Sequence, residues 1–178
     1  MRRHFRWLVV LSPVILAAVV YVGNIQATPA SGFAASTISR GRVEEFDVTH
    51  HLVAEKSADD NSKRRVWLSQ QRTKGPSDLY VQSNVWQVGG TTGWHTHPGH
   101  SFVTVTAGAI TNYDADDPTC TGKEYTVGMT FVDHGGGDHA HLVRNEGFVV
   151  ATTTAIQLIP ADATRRVDVL EGNPACPF

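Results

Sequence analysis

Residues 89–108, GGTTGWHTHPGHSFVTVTAG, decide how this chain reads. His95 and His97, one residue apart, follow a glycine turn and precede an alternating apolar run, which places them where a β-strand begins. Residues i and i+2 of a strand face the same side. Both imidazoles therefore aim into one cavity, at a spacing that suits a single metal ion. A third ligand must come from elsewhere, and residues 135–147, GGGDHAHLVRNEG, supply His139 and His141. Six of the nine histidines fall between His95 and His141. Neutral imidazole binds zinc, copper, iron and nickel well, and three imidazoles leave coordination positions open for water or a substrate.

Working outward, the chain from Val43 onward has period two. Phe46, Val48, His50 and Leu52 alternate with polar neighbours, and 65–68, 79–88, 102–110, 129–132, 141–143, 148–159 and 166–170 read as further strands. Loops such as SADDNSKRR and QRTKGPSD separate them. No stretch of eleven residues or more carries a helical stripe. Short strands at close spacing with glycine turns give an all-β sandwich or barrel.

The N-terminal segment reads as an export signal. Arg2, Arg3 and Arg6 precede an apolar run over residues 8–22, too short for a full membrane span and of signal-peptide length. Residues 1–27 are assigned to this signal peptide or N-terminal anchor, 28–39 to a linker and 40–178 to the β-domain. Cleavage is compatible with Ala27, Ala30 or Ala35. The expected location is secreted or extracytoplasmic, with membrane contact only through an uncleaved N-terminal segment. In an oxidising compartment the two cysteines, Cys120 and Cys176, read as one disulfide that staples the C-terminal tail to the domain. With 15 Lys and Arg against 17 Asp and Glu, scattered along the chain, no basic face for nucleic acid is visible.

These residues resemble the cupin superfamily. Its first motif is a glycine, five residues, His-x-His, three or four residues, a glutamate, six residues and a glycine. Gly89, His95, His97 and Gly108 fall on it without a shift. The glutamate position holds Ser101, preceded by His100. The second motif begins at Gly128, with His134 where proline is usual and Gly136 in place. Strict counting gives His139 as the ligand. Two extra residues in the glycine loop at 135–137 give His141 followed by Asn145, which restores the family's His-x-x-x-Asn ending. His141 is the expected third ligand beside His95 and His97, with His139 left open.

The resemblance implies a cupin-like jelly-roll barrel holding a divalent transition metal, and a small molecule as partner; a homodimer is left open. It is also similar to thiol dioxygenases of cupin type, which use three histidines and no glutamate with iron. Without the carboxylate, the site keeps the full charge of its metal, which favours an anionic ligand and disfavours hard ions such as manganese. His100, or whichever of His139 and His141 is not a ligand, is the candidate proton shuttle. Trp86, Trp94, Phe102 and Phe131 are candidates to line an apolar pocket. An oxygenase, isomerase or hydrolase, a non-catalytic binding module and a metal-free isomerase-type cupin are all compatible with this reading.

Overall fold

A computed structural model describes residues 29–53, 66–136, 139–170 and 172–178. The export segment at 1–27, with Arg2, Arg3 and Arg6, lies outside the described residues. Among those described the structure is all β, in twelve strands. In chain order they are β1 (Ser31–Val43), β2 (Asp47–Val53), β3 (Val66–Arg72), β4 (Ser77–Thr91), β5 (His95–Thr96) and β6 (Ser101–Ala107). There follow β7 (Ala109–Asp114), β8 (Lys123–Thr126), β9 (Thr130–Asp133), β10 (His141–Arg144), β11 (Ala151–Pro160) and β12 (Val167–Asp168).

Two antiparallel layers form a nearly closed jelly-roll barrel. One runs β1-β4-β11-β6-β9 and the other β12-β5-β10-β7-β8, joined where Arg144 pairs with Thr91 at the end of β4. Strands β2 and β3 make a separate two-stranded ribbon. Its alternation is real, but Val48 and Leu52 stay exposed, so this apolar face does not join the barrel core.

Inside the barrel the pleat sorts side chains by parity. On β11, Ala151, Thr153, Ala155, Gln157 and Ile159 are buried while their neighbours are less so. The interior is apolar towards one end, where Trp86, Val105, Ile110, Tyr125, Phe131 and Val143 pack together. Towards the other it turns polar. In register across four strands lie Tyr80, Gln157, Ser101 and Asp133, and directly paired residues project to the same side of a sheet.

Three stretches differ from their sequence reading. Residues 28–39 read as a linker, yet from Ser31 onward they are strand, paired along β4 from Thr91 to Ser77. A run of small and polar residues has weak strand preference by itself, and the long β4 edge overrides it. Buried Asp78 helps fix this pairing. It accepts hydrogen bonds from Arg40 at 2.7 Å, Arg42 at 2.8 Å and the Asp162 backbone at 2.9 Å. The Asp162 N–H first, then Arg40, hold its carboxyl down at about 2. The apolar run 102–110 is two strands, because Gly108 turns the chain between β6 and β7 at φ 66°. A Cβ there would lie 2.8 Å from the Val150 carbonyl oxygen, so glycine is required. Finally, Phe148, Val149 and Val150 precede β11 and are exposed.

Cys120 and Cys176 form the expected disulfide. It packs with Val169 against a second small core of Trp94, Tyr113 and Leu142, on the outer side of β5 and β10. Asn173 fixes the tail further by donating to the Asp114 carbonyl at 3.2 Å. For a loop with a sequence separation of 56, chain-entropy arithmetic gives about 4 kcal/mol of stabilisation. Thiol titration of the unfolded, unreduced protein is expected to find no free thiol. Denaturant unfolding after reduction is expected to show a loss of about 4 kcal/mol; an unchanged midpoint would show that the tail needs no tether.

Candidate metal centre

His95, His97 and His141 come together at the polar end of the barrel. Their ligand nitrogens lie within 4.8 Å of one another, and His141 pairs across the ladder with His95. His95 and His141 are buried, at 4% exposure each. The hydrogen bonds select the tautomers. Nδ1–H of His95 donates to the Gly93 carbonyl at 2.9 Å, and Nδ1–H of His97 donates to the Arg165 carbonyl at 2.7 Å. Each neutral ring therefore presents a bare Nε2 to the cavity. The Nε2 atoms of His95 and His141 are 3.1 Å apart, which matches the edge expected when two nitrogens each lie about 2.0–2.1 Å from one ion.

A carboxylate beside the cluster was missed in the sequence. Asp133, at the end of β9 and 5% exposed, places Oδ2 3.2 Å from His97 Nε2 and 3.6 Å from His141 Nε2. Its other oxygen accepts the Gly135 N–H at 3.2 Å. Ser101, in the position of the absent glutamate, pairs directly with Asp133. A carboxylate thus adjoins two of the three histidines from the neighbouring strand. With its proton on Nδ1, His97 turns a lone pair towards a carboxylate oxygen, and a cation is what two such acceptors can share. The donor set, three imidazole nitrogens and one carboxylate oxygen, fits a divalent transition metal.

Other sequence candidates lie elsewhere. His139 faces outward, 3.6 Å from Asp114 and against the His134 ring. His100 lines a different cavity with Phe46, Gln71 and Phe102 on the outside of the sheet, so neither it nor His139 adjoins the cluster as a proton shuttle. Asn145 is fully buried, and its amide donates to the carbonyls of Trp86, Gln87 and Val149, clamping the end of β4 to β10. His141, the histidine chosen by allowing two extra loop residues, lies with His95 and His97, and Asn145 follows at the end of its strand. Gly135, at φ 60°, brings the loop after β9 so close to the Gly99 carbonyl that a side chain would collide with it. Of the aromatic candidates, Trp86 and Phe131 line the cavity, Trp94 packs behind it and Phe102 points outward.

The cavity beside the histidines measures about 90 Å³, well below the roughly 300 Å³ at which drug-sized pockets start. Its walls include Gln82, Gln157, Ser101, Arg165 and Arg166. Both arginines were missed in the sequence. Arg166 donates to the Thr92 carbonyl at 2.6 Å and pairs with Asp168 at 2.7 Å, which fastens β12 beside β5 and carries Arg165 to the cavity.

No protein-family model and no curated protein matches the sequence. Solved structures do. One is an uncharacterized conserved protein with a double-stranded β-helix domain from Klebsiella pneumoniae, 16% identical, with TM-score 0.43 over 51% of this chain and 74% of that one. A cupin-like protein from Thermotoga maritima is 18% identical, with TM-score 0.45 over 53% of this chain and 65% of that one. An oxalate oxidase is 18% identical, with TM-score 0.39 over 47% of this chain. This chain spans less than half, 46%, of that enzyme.

Burial holds all three histidines neutral. It pushes His141 down to about 4, lowers His97 and, with His141 adjacent, carries His95 well below the usual imidazole value. A histidine whose folded pKa is depressed takes up its proton preferentially in the unfolded chain. Its contribution to stability is therefore complete above about 6.5 and is lost as pH falls from there towards the folded value. For His141 the drop from 6.5 to about 4 corresponds to roughly 3 kcal/mol at about 1.4 kcal/mol per pH unit. Chelator-treated protein is expected to lose stability steeply between pH 6.5 and 4 in denaturant titrations, and His141→Gln to flatten that slope. A pH-independent midpoint in this window would show that the rings are solvated.

Proposed function

We propose that this chain is an extracytoplasmic cupin domain that binds one divalent transition metal and acts there on a small molecule. The observation that carries the reading is the convergence of the His95, His97 and His141 ligand nitrogens at the polar end of the barrel, with Asp133 Oδ2 beside His97 and His141. The motif residues Gly89, His95, His97, Gly108, His141 and Asn145 support the family assignment. The bonded cysteines support an oxidising compartment.

The three neutral imidazoles would hold the metal through nitrogen, and Asp133 would add a harder oxygen donor. That donor admits manganese alongside zinc, iron, copper and nickel. Bound there, such an ion supplies Lewis-acid polarisation and, where it is iron or copper, electron transfer. The protein's own groups do the positioning. Trp86, Val103 and Phe131 close the apolar side of the cavity to water, while the Gln157 amide and the Ser101 hydroxyl offer hydrogen bonds along its polar wall. Oδ1 of Asp133 is held by the Gly135 N–H, so its carboxylate is oriented before any ligand arrives.

Elemental analysis of the purified protein is expected to find about one equivalent of transition metal. The double variant His95→Ala with His97→Ala is expected to retain none while keeping its circular dichroism, since the ligands are additions to an apolar core rather than part of it. Asp133→Asn is expected to weaken metal retention about 10- to 100-fold, the range for groups that tune a metal site. Stoichiometric metal in the double variant, or none in the wild type, would remove the proposal.

A further inference from the structure

The cavity carries a positive group that the protein does not neutralise. Arg40 and Arg42 have Asp78 and Asp162 as partners, Arg72 has Asp47, Arg144 has Glu146 and Arg166 has Asp168. Among the described residues Arg165 is the arginine with no carboxylate within ion-pair distance. Its guanidinium lies over the Tyr80 ring, 5.5 Å from the centroid, and donates only a long hydrogen bond, 3.5 Å, to Gln157 Oε1. It lines the same cavity as the histidine cluster. Partial burial lowers its pKa, and no acidic residue nearby opposes that effect except the Tyr80 phenol. Leaving a half-buried cation without a counter-charge costs stability.

The position of Arg165 is fixed as well as its charge. Its carbonyl accepts the proton of His97 Nδ1, so the residue that faces the ligand is tied to a ring of the metal centre. Across the pleat, Tyr80 and Gln157 stand under the guanidinium, and Ser101 and Asp133 continue the same row to the histidines. A ligand lying along that row meets a cation at one end and the metal centre at the other. The charges of Asp133 and Arg165 cancel, so a bound dication leaves the cavity at about two positive charges, a balance that favours an anion.

Resting on the metal reading above, we infer that the small molecule is an organic acid of a few carbons whose carboxylate pairs with Arg165. The planar fork of one guanidinium matches the two oxygens of a carboxylate. A phosphate brings further charged oxygens, and the remaining cavity arginine, Arg166, is already held by Asp168 and the Thr92 carbonyl. The cavity of about 90 Å³ sets the size.

The test is calorimetric titration of the purified full-length protein with acetate, lactate and malonate, each beside its neutral amide, and with inorganic phosphate. At least one acid is expected to bind, with its amide at least about tenfold weaker. In Arg165→Met that acid is expected to weaken about 10- to 100-fold, the range for a charge-assisted hydrogen bond, with Arg165→Lys in between. Metal content is expected to equal wild type in both variants, because His97 bonds the backbone of residue 165 and not its side chain. Equal binding of acid and amide, equal binding by Arg165→Met, tighter binding of phosphate, or no acid binding would each overturn the inference. Metal-free wild type that still binds an acid through Arg165 would remove the metal proposal and leave this one standing.

Discussion

Everything at this site depends on strand parity. The pleat sends alternate side chains to one face, so a single row of inward positions on β4, β11, β6 and β9 carries Tyr80, Gln157, Ser101 and Asp133. A shift of one residue in any pairing would turn a member of that row to solvent and bring an outward residue such as Phe102 or Ile156 into the barrel. The apolar end resists such a slip. Trp86, Val105, Phe131 and Ala151 lie on the same faces as the polar row and would be exposed together with it. The hydrophobic half of the interior therefore fixes the register in which the polar half acquires its geometry.

The histidine strands need support from behind, because β5 is only two residues long and β10 only four. Trp94 and Leu142 each neighbour a histidine of the cluster and point the opposite way, into the second core with Tyr113. The disulfide and the C-terminal tail cover that core. Asn145 ties β10 to the end of β4 from the other direction, using its side chain and both backbone groups. Burying three uncharged imidazoles and a carboxylate is costly, and rigid backing on both sides keeps them from relaxing away from one another.

How much of this was legible depended on whether the signal ran along the chain or across the sheet. The His-x-His pair, the all-β pattern and the disulfide are local or compositional, and a reader of the chain finds them. The choice of His141 over His139 rested on placing two extra residues in the glycine loop, which puts Asn145 four residues after His141, and the buried Asn145 amide ties that strand to the end of β4. Asp133 was invisible to a search for a carboxylate at a fixed distance after His97, since it comes to the cluster from the neighbouring strand. One signal did exist: Phe131 and Asp133 share parity in TFVD, so a buried Phe131 implies an inward Asp133. Arg165 had no such signal, because β12 is two residues long and its pairing with β5 is set by Arg166 and the Trp94 carbonyl. β1 was misread because Ala, Ser and Gly advertise a linker, and only the β4 edge makes them a strand.

The place of Asp133 at the end of β9 decides what the carboxylate is mechanically attached to. Asp133 ends β9 and leads directly into the loop at 134–136. That loop is bound back to the site twice: Gly135 N–H holds Asp133 Oδ1, and Gly136 N–H holds the His97 carbonyl at 2.7 Å. His97 in turn holds Arg165 through its ring. A displacement of the loop thus pulls on the carboxylate, on one imidazole of the cluster and, through that imidazole, on the arginine that faces the cavity. Asp133 therefore takes its anchorage from this loop, and the same hydrogen bonds link the histidine cluster to Arg165 at the other side of the cavity.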